Sequence, residues 1–267
     1  MELDPPKKTK PYRVRLDLSF DGSLFMGWQK QSEGAYTVQG VLEEKLSKIF
    51  KETIAVQASG RTDRGVHALH QVAHFDCSTD PTRINLRTAL QASCPRFLVI
   101  KETYTAPKEF HARRDALEKT YKYLIRNAKT PSSQLWNKSV WIRKPLDLDY
   151  LNEVTKCLIG THDFKSFQNA GTELKTTTRE IYEAKWVLRK PGWVEFYIRG
   201  NGFLKQMVRN IVGTALALEK HGQPIEKMKE ILEAKNRKVA LKTADPEGLY
   251  LVAVKYPQTL DNKCLKF

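Results

Sequence analysis

The chain has 267 residues, of which 41% are hydrophobic and 28% are charged, a composition typical of a folded soluble protein. Lysine and arginine number 45 against 30 aspartates and glutamates, so the formal net charge is +15. This excess predicts a polyanionic partner, nucleic acid before an anionic membrane surface. No apolar run approaches the roughly 18 residues of a membrane span. The four cysteines form no C-x-x-C pair, which disfavours a disulfide framework or a zinc ribbon and fits a reducing cytoplasm.

The first 107 residues mix strand and helix patterns. Residues 1–10 predict a flexible basic arm, and strict alternation over 12–20 then predicts a half-buried strand that ends in an Asp-Gly turn. An apolar stripe predicts a helix over 38–50 with Thr37 as its N-cap. After a loop that holds Asp63, we expect a strand near 68–76, a helix near 83–93 and a strand near 97–104.

The pattern pauses around Ala106 and Pro107 and then starts again. The second set comprises an alternating strand over 119–127, a helix near 148–159, a hairpin turning at Pro191-Gly192, a long helix over 203–222, a short helix after Pro224 and a closing strand over 248–256. Two α+β domains with antiparallel-rich sheets, over 11–107 and 108–267, explain this order better than one doubly wound parallel sheet.

The stretch "ASGRTDRGVHALHQ", residues 58–71, places one carboxylate, Asp63, between two arginines and two glycines. An aspartate in a loop often bonds to nearby backbone amides and has only a structural role. Glycines, however, allow the backbone to approach a ligand closely, and a carboxylate would repel RNA phosphates. The alternative is therefore a nucleophile directed at something other than phosphate, with the arginines keeping it ionised.

Three histidines after this loop suggest a different chemistry. His67, His70 and His74 would share one face of a helix and could ligate zinc. The same residues also fit a strand, which would remove His67 from the face of the other two. We favour packing or RNA-facing roles over a metal site.

Two further positions each allow two interpretations. Tyr121 lies on an alternating strand, where it is either a core aromatic residue or a platform and general base beside a nucleobase. Arg209 lies off the apolar stripe of the predicted long helix, where it is either solvated or the ion-pair partner of a buried carboxylate.

Several motifs in order then identify a family. "GRTDRGVHA" closely resembles the signature G-R-T-D-A-G-V-H-A of TruA-type tRNA pseudouridine synthases, with Arg64 in place of the usual alanine. The stretches "SFDGSLFMGWQKQ", "FHARRDALEKTYKYLI", "GTHDFKSFQNAG", "GNGFLKQMVRNIVG" and "GLYLVAVKY" follow the family's order. The resemblance covers roughly residues 11 to 256, and matched order makes it far more specific than one motif.

The resemblance implies roles for single residues. It places the catalytic nucleophile at Asp63, the tyrosine that stacks on the uracil and serves as the proposed final base at Tyr121, and the ion-pair partner of the nucleophile at Arg209. Leu249 matches a leucine that helps to line the pocket, and Arg61 belongs to the signature itself. Arg64 is a departure, which we expect to add a phosphate contact or to pair with Asp63.

The resemblance also implies a fold and a reaction. We expect two ferredoxin-like α/β-sandwich domains flanking a basic RNA-binding cleft, and a cytoplasmic homodimer that isomerises uridines 38, 39 and 40 in the anticodon arm of tRNA. Pseudouridine formation involves no redox change, so we expect no cofactor and no metal. A catalytically inert RNA-binding protein on the same scaffold and a zinc-dependent RNA enzyme remain the alternatives.

Overall fold

A computed structural model of the chain describes residues 9–31, 34–169, 171 and 175–267, so residues 1–8 of the predicted basic arm lie outside the described residues. The helices are α1 (Val38–Phe50), α2 (Leu86–Ser93), α3 (Leu148–Lys156), α4 (Met207–Lys220), α5 (Lys227–Glu233) and α6 (Gln258–Asp261). The strands are β1 (Tyr12–Phe20), β2 (Gln57–Ala58), β3 (His67–Cys77), β4 (Leu98–Ala106), β5 (Glu118–Asn127), β6 (Val140–Ile142), β7 (Gly160–Asp163), β8 (Thr178–Lys190), β9 (Trp193–Gly200), β10 (Leu249–Lys255) and β11 (Leu265–Lys266). This mixture confirms the predicted α+β class. In the described part of the chain, no helix is long and apolar enough to cross a membrane.

The described strands form one sheet in the order β11-β4-β1-β3-β10-β5-β9-β8-β7, with β2 paired to β3 and β6 paired to β5. Most pairs are antiparallel, as predicted; β3–β10 and β5–β6 are parallel. Strands from the first part of the chain lie on one side of the β3–β10 pair, and those from the second part lie on the other. β11 is the exception, because it returns to the edge of β4.

The β3–β10 pair joins the two sides of the sheet through a short ladder. Tyr250 lies opposite His67 and Leu251 lies opposite Ala68. The rings of His67 and Tyr250 stack with their centroids 4.5 Å apart. Because parallel strands run in the same direction, the segments that enter β3 and β10 lie at the same edge of the sheet.

In the first part of the chain, α1 has the bounds that its apolar stripe predicts, and Thr37 Oγ1 accepts a hydrogen bond from the Gly40 amide at 3.2 Å. The next helix was predicted from residue 83, but α2 begins at Leu86. Pro81–Arg83 form a separate 3-10 turn, and Asn85 caps α2 by accepting from the Thr88 amide.

In the second part, the hairpin turns at Pro191-Gly192 as predicted, with Gly192 at φ +78°. The long helix predicted over 203–222 is shorter, because α4 begins only at Met207. Gln206 has φ +61°, a left-handed conformation that interrupts a right-handed helix. Leu204 lies before the helix and is nevertheless buried, so its hydrophobic side chain indicates a position in the core and not a position on the helix.

The second face of β1 is buried, contrary to the half-buried strand that was expected. Arg15 and Asp17 are each only 7% exposed. Arg15 donates to Asp17 Oδ1 at 2.8 Å and to Asp261 Oδ1 at 2.6 Å, and its guanidinium lies 5.1–5.7 Å from the ring centroids of three aromatic residues, Tyr104, Phe110 and Tyr256. The chain beyond β10 therefore covers this face, which alternation within β1 could not indicate.

We expect Arg15→Ala to lower the free energy of unfolding in urea by about 3 kcal/mol, because it leaves the buried Asp17 carboxylate without its guanidinium partner. The control is Arg83→Ala, since the Arg83 side chain is 79% exposed and lies 3.8 Å from Asp80. This variant should change the free energy by less than about 1 kcal/mol. Equal losses in the two variants would contradict a buried ionic network.

Candidate active site

The loop that holds Asp63 connects β2 to β3 and is bonded at both ends. Ser59 Oγ donates to Gln71 Oε1 at 2.6 Å, and Gln71 Nε2 donates to the Gly60 carbonyl at 2.9 Å. At the tip, the Val66 amide donates to the Asp63 carbonyl at 3.2 Å, with Gly65 at φ +80°. The turn that the glycine-rich sequence predicted is present, and it leaves the Asp63 side chain 24% exposed.

The segment before α1 packs against this loop. The Trp28 amide donates to the Thr62 carbonyl at 3.0 Å, and Gly27 has φ +97°. A Cβ added at Gly27 would lie 2.9 Å from the Thr62 carbonyl oxygen. Only glycine fits this close approach, which gives the "MGWQ" stretch a physical role that the sequence analysis missed.

Arg209 lies in the first turn of α4 and reaches the Asp63 loop. Its Nη1 lies 3.2 Å from Asp63 Oδ2, and its Nε donates to the Ala244 carbonyl at 2.8 Å. The Ala244 amide donates in return to the Arg209 carbonyl at 3.0 Å. The side chain is only 13% exposed, so the alternative of a solvated helix face is wrong. The carboxylate and guanidinium, 146 positions apart in sequence, form an ion pair.

Tyr121 lies in β5, opposite Leu251 of β10 and Ile198 of β9. It is 8% exposed, and its ring meets that of Phe203 edge to face with centroids 5.1 Å apart. Burial has the larger effect and the negative charge of Asp63 the smaller, and both raise the pKa of the Tyr121 hydroxyl. Tyr121 is therefore nearly buried, and its phenol is neutral at neutral pH and lies within electrostatic reach of Asp63.

Leu249 begins β10 opposite Tyr123, on the sheet face that also carries Tyr121. It is 7% exposed. A Cβ added at the preceding Gly248 would lie 2.7 Å from the Tyr123 ring, and the Tyr123 hydroxyl donates to the Asp245 carbonyl at 2.7 Å. The entry to β10 is thus held against β5 beside Tyr121.

Arg61 and Arg64 are both exposed. Neither forms an ion pair with any residue that the structure describes. The guanidinium that pairs with Asp63 is that of Arg209, and not that of either neighbouring arginine. Of the two roles expected for Arg64, pairing with Asp63 is therefore not observed among the described residues, and the phosphate contact stays a prediction.

The three histidines do not converge. His67 Nδ1 accepts from the Gly22 amide at 3.1 Å, His70 Nε2 lies 3.0 Å from Asp17 Oδ2, and His74 Nδ1 accepts from the Ala112 amide at 3.2 Å. Over residues 9–31, 34–169, 171 and 175–267, no group of three histidine, cysteine, aspartate or glutamate side chains could hold a metal ion. The histidines lie on β3, and each has a separate partner.

Lys119 also belongs to this site and was not singled out from the sequence. It lies on β5 two residues before Tyr121, and its Nζ donates to the Ser59 carbonyl at 2.6 Å. Burial has the largest effect and the positive charges of Arg113 and Arg179 add to it, so that the pKa of Lys119 is lowered to about 8. The signal that could have found it is the two-residue spacing from Tyr121, which puts both side chains on one face of a strand.

Comparison with known proteins places the chain in a family. A family model described as tRNA pseudouridine synthase matches residues 18–114 and 154–257. A protein of Bdellovibrio bacteriovorus named tRNA pseudouridine synthase A is 50% identical over 258 residues, which are 95% of this chain and 98% of that protein. Proteins of the same name from Pseudomonas aeruginosa and Escherichia coli K12 are 37% and 36% identical, over 92% and 94% of this chain and 86% and 92% of their own.

We expect Gly27→Ala to destabilise the protein more than Gly34→Ala. Both glycines have positive φ, +97° and +91°, so both variants should lose about 1 kcal/mol through backbone strain. A Cβ at Gly27 also meets the Thr62 carbonyl, whereas a Cβ at Gly34 meets no atom of the described residues within 4 Å. The clash should add about 1–3 kcal/mol to the loss of unfolding free energy measured in urea. Equal losses would mean that Gly27 does not support the Asp63 loop.

We expect His74 to make the protein less stable as the pH falls from about 6.5 to 4. Burial, which has the larger effect, and the charge of Arg13 lower the His74 pKa to about 4. As the pH falls, the unfolded chain therefore binds this proton before the folded chain does. The loss should approach about 3 kcal/mol at pH 4 in wild type. Urea unfolding of His74→Asn, which keeps an acceptor for the Ala112 amide, should show a shallower pH dependence. Parallel curves would contradict the lowered pKa.

Proposed function

The chain belongs to the tRNA pseudouridine synthase family, and from that premise we propose that it isomerises uridines 38, 39 and 40 of the tRNA anticodon arm with Asp63 as the nucleophile. It is an isomerase that converts uridine to pseudouridine in tRNA. The reaction breaks the bond between ribose C1′ and uracil N1 and forms a bond between C1′ and C5. The oxidation state does not change, so the chemistry requires no redox cofactor.

The observation that carries this proposal is the ion pair between Asp63 Oδ2 and Arg209 Nη1 at 3.2 Å, on a loop next to the buried Tyr121. A guanidinium beside a carboxylate orients it through a charge-assisted hydrogen bond. The Arg209 Nε bond to the Ala244 carbonyl fixes the direction from which the guanidinium approaches. Arg209 thus acts as a positioning residue, and one oxygen of Asp63 remains for the substrate.

The carboxylate can serve the reaction in three ways. It adds to C1′ and is displaced when C5 bonds there, adds to C6 and is expelled after the new bond has formed, or takes the C2′ proton to give a glycal and returns that proton when C5 bonds to C1′. In each route the C1′–N1 bond breaks with its electron pair on N1, the base turns, and C5 bonds to C1′. Glycosidases use carboxylates for related chemistry at an anomeric carbon. The target uridine must leave its stack to reach Asp63.

Tyr121 covers one face of the base in this proposal and takes part in the last proton transfer. After C5 bonds to C1′, the proton on C5 must leave and N1 must gain one. Because the pKa of Tyr121 is raised, its phenol is neutral, and it accepts the C5 proton only while it passes its own proton on, directly or through water. Leu249 lines the same sheet face and excludes water from the base.

RNA binding is assigned to the basic surface around the loop. The exposed Arg61 and Arg64 are available for phosphates, and the net charge of +15 favours a polyanion. We further infer a homodimer in the cytoplasm that binds tRNA in a basic cleft, as the family resemblance implies. Light scattering on the purified protein tests the dimer.

We also infer two ferredoxin-like domains, at 11–107 and 108–267. The strand orders β4-β1-β3-β2 and β10-β5-β9-β8 support this division. Each order corresponds to 4-1-3-2 in a βαββαβ unit, with α1 and α2 in the first and α3 and α4 in the second. The β3–β10 pair would then be the seam between the two domains.

The test is tritium release from a tRNA transcript labelled at uridine C5, since isomerisation sends that hydrogen to solvent. Wild type should release tritium, and Asp63→Asn should lower the rate by at least about 10³-fold, because an amide is a poor nucleophile. Asp149→Asn, an exposed position in the first turn of α3, is the matched control and should retain the wild-type rate.

Filter binding of the same transcripts separates the alternatives. A wild type that binds tRNA and releases no tritium would be the inert RNA-binding protein. Release that Asp63→Asn does not diminish would remove Asp63 from the chemistry. Mapping pseudouridine by carbodiimide adducts and primer extension tests positions 38, 39 and 40, and product elsewhere in the tRNA would overturn that assignment.

A further inference from the structure

Lys119 brings an ammonium group to the edge of the Asp63 loop. Its Nζ donates to the Ser59 carbonyl at 2.6 Å. A Cβ added at Gly60 would lie 3.3 Å from this Nζ and 3.9 Å from the Tyr121 hydroxyl oxygen. The ammonium and the phenol therefore border the same glycine, three positions before Asp63.

Two arginines are close enough to Lys119 to act on its charge. Arg113 precedes β5, and Arg179 lies in β8. Arg179 Nη1 donates to the carbonyls of Thr178 at 2.6 Å and Thr176 at 3.3 Å, which anchors its guanidinium and leaves other donors available. Burial, which has the larger effect, and the charge of Arg113 both lower the pKa of Arg179. We call Arg113, Lys119 and Arg179 the cation cluster.

The cation cluster has no counterion in the described part of the chain. No carboxylate of those residues lies within 4.0 Å of any of the three charged groups. Neighbouring cations differ, because Lys122 pairs with Glu195 at 3.0 Å and Arg199 pairs with Glu118 at 2.6 Å. Like charges near one another repel, so an anion supplied by a partner would relieve a cost that the described residues leave uncompensated.

We propose that the cation cluster is a phosphate-binding subsite, which holds a phosphodiester next to the nucleotide presented to Asp63. Guanidinium and ammonium groups are the side-chain donors that bind phosphate oxygens through charge-assisted hydrogen bonds. The inference rests on the proposed function, since a uridine that leaves its stack brings its flanking phosphates to the rim of the site. Lys119 then has two partners, the Ser59 carbonyl and the RNA backbone.

The lowered pKa gives this subsite a measurable signature. Lys119 is faced by Arg113, Arg179, the Tyr121 hydroxyl and the Ser59 carbonyl, and its pKa of about 8 means that most molecules carry no charge there at pH 9. A bound phosphate raises the pKa of Lys119, so tRNA binding takes up a proton above pH 8. The contribution of Lys119 to affinity should therefore fall about tenfold between pH 7 and pH 9.

The experiment measures the dissociation constant of tRNA transcript by filter binding, across salt concentration and from pH 7 to 9. Four proteins are compared: wild type, Lys119→Ala, Lys119→Arg and the control Lys229→Ala, an exposed lysine on α5. At pH 7, Lys119→Ala should weaken binding about tenfold and reduce the slope of log K against log salt by about 0.7–0.9. Lys119→Arg should restore both and remove the loss between pH 7 and 9, because arginine stays charged.

A purely structural role for Lys119 predicts a different result. Loss of the Ser59 contact would lower the free energy of unfolding and leave the salt slope and the pH dependence of binding unchanged. The proposal is overturned if Lys119→Ala binds with the wild-type salt slope, or if Lys119→Arg keeps the wild-type pH dependence. Lys119→Arg keeps the test valid should Lys119→Ala fail to fold.

Tritium release by wild type separates this inference from the proposed function. If wild type binds tRNA without releasing tritium, the isomerase assignment fails. The salt slope of Lys119→Ala still tests whether the cation cluster binds phosphate. If wild type releases tritium while Lys119→Ala binds like wild type, the subsite fails alone. A loss of affinity in Lys229→Ala equal to that in Lys119→Ala would assign the effect to general charge and overturn the subsite.

Discussion

The parallel pairing of β3 with β10 is the constraint on which the site depends. It comprises two residue pairs, and yet it places the chain entering β3 beside the chain entering β10. The first of these segments carries Asp63, and the second carries Ala244, which binds both the backbone and the side chain of Arg209. Together with the Lys119 bond to the Ser59 carbonyl, this ladder joins the strands from the second part of the chain to the loop that carries Asp63.

The cations around Asp63 differ in what they do, although the sequence presents them as one basic group. Arg209 is largely buried and donates its hydrogen bonds to groups of the protein itself, as expected of a group that orients a carboxylate. Arg61 and Arg64 are exposed and have no such bonds among the described residues. Lys119 lies between these extremes, since it is desolvated and still has no acidic partner there. Burial and pairing therefore divide the cations into those bonded within the protein and those without an acidic partner among the described residues.

The sequence predicted most of the regular elements, because strict alternation in β1 and the apolar stripe of α1 are local properties. It failed where distant segments decide the outcome. The burial of Arg15 depends on Asp261, the late start of α4 depends on the conformation of Gln206, and the packing of Gly27 depends on Thr62. For the site, periodicity left Tyr121 and Arg209 ambiguous, and only the family resemblance paired Arg209 with Asp63. Lys119 lies within the stretch "FHARRDALEKTYKYLI", but the sequence analysis gave it no role, and its contact with Ser59 required the fold.

The path of the last twelve residues has a consequence for how the molecule holds together. After β10 the chain crosses back, places Asp261 on Arg15, adds β11 to the edge of β4 and bonds Phe267 to Thr103. Strands from the first part of the chain are thus covered and extended by residues that follow β10. Neither side retains its full set of contacts if the other unfolds, so the two are mechanically interlocked and should melt in one cooperative transition. The Asp63–Arg209 pair, which spans both sides, is protected by that interlock from partial opening.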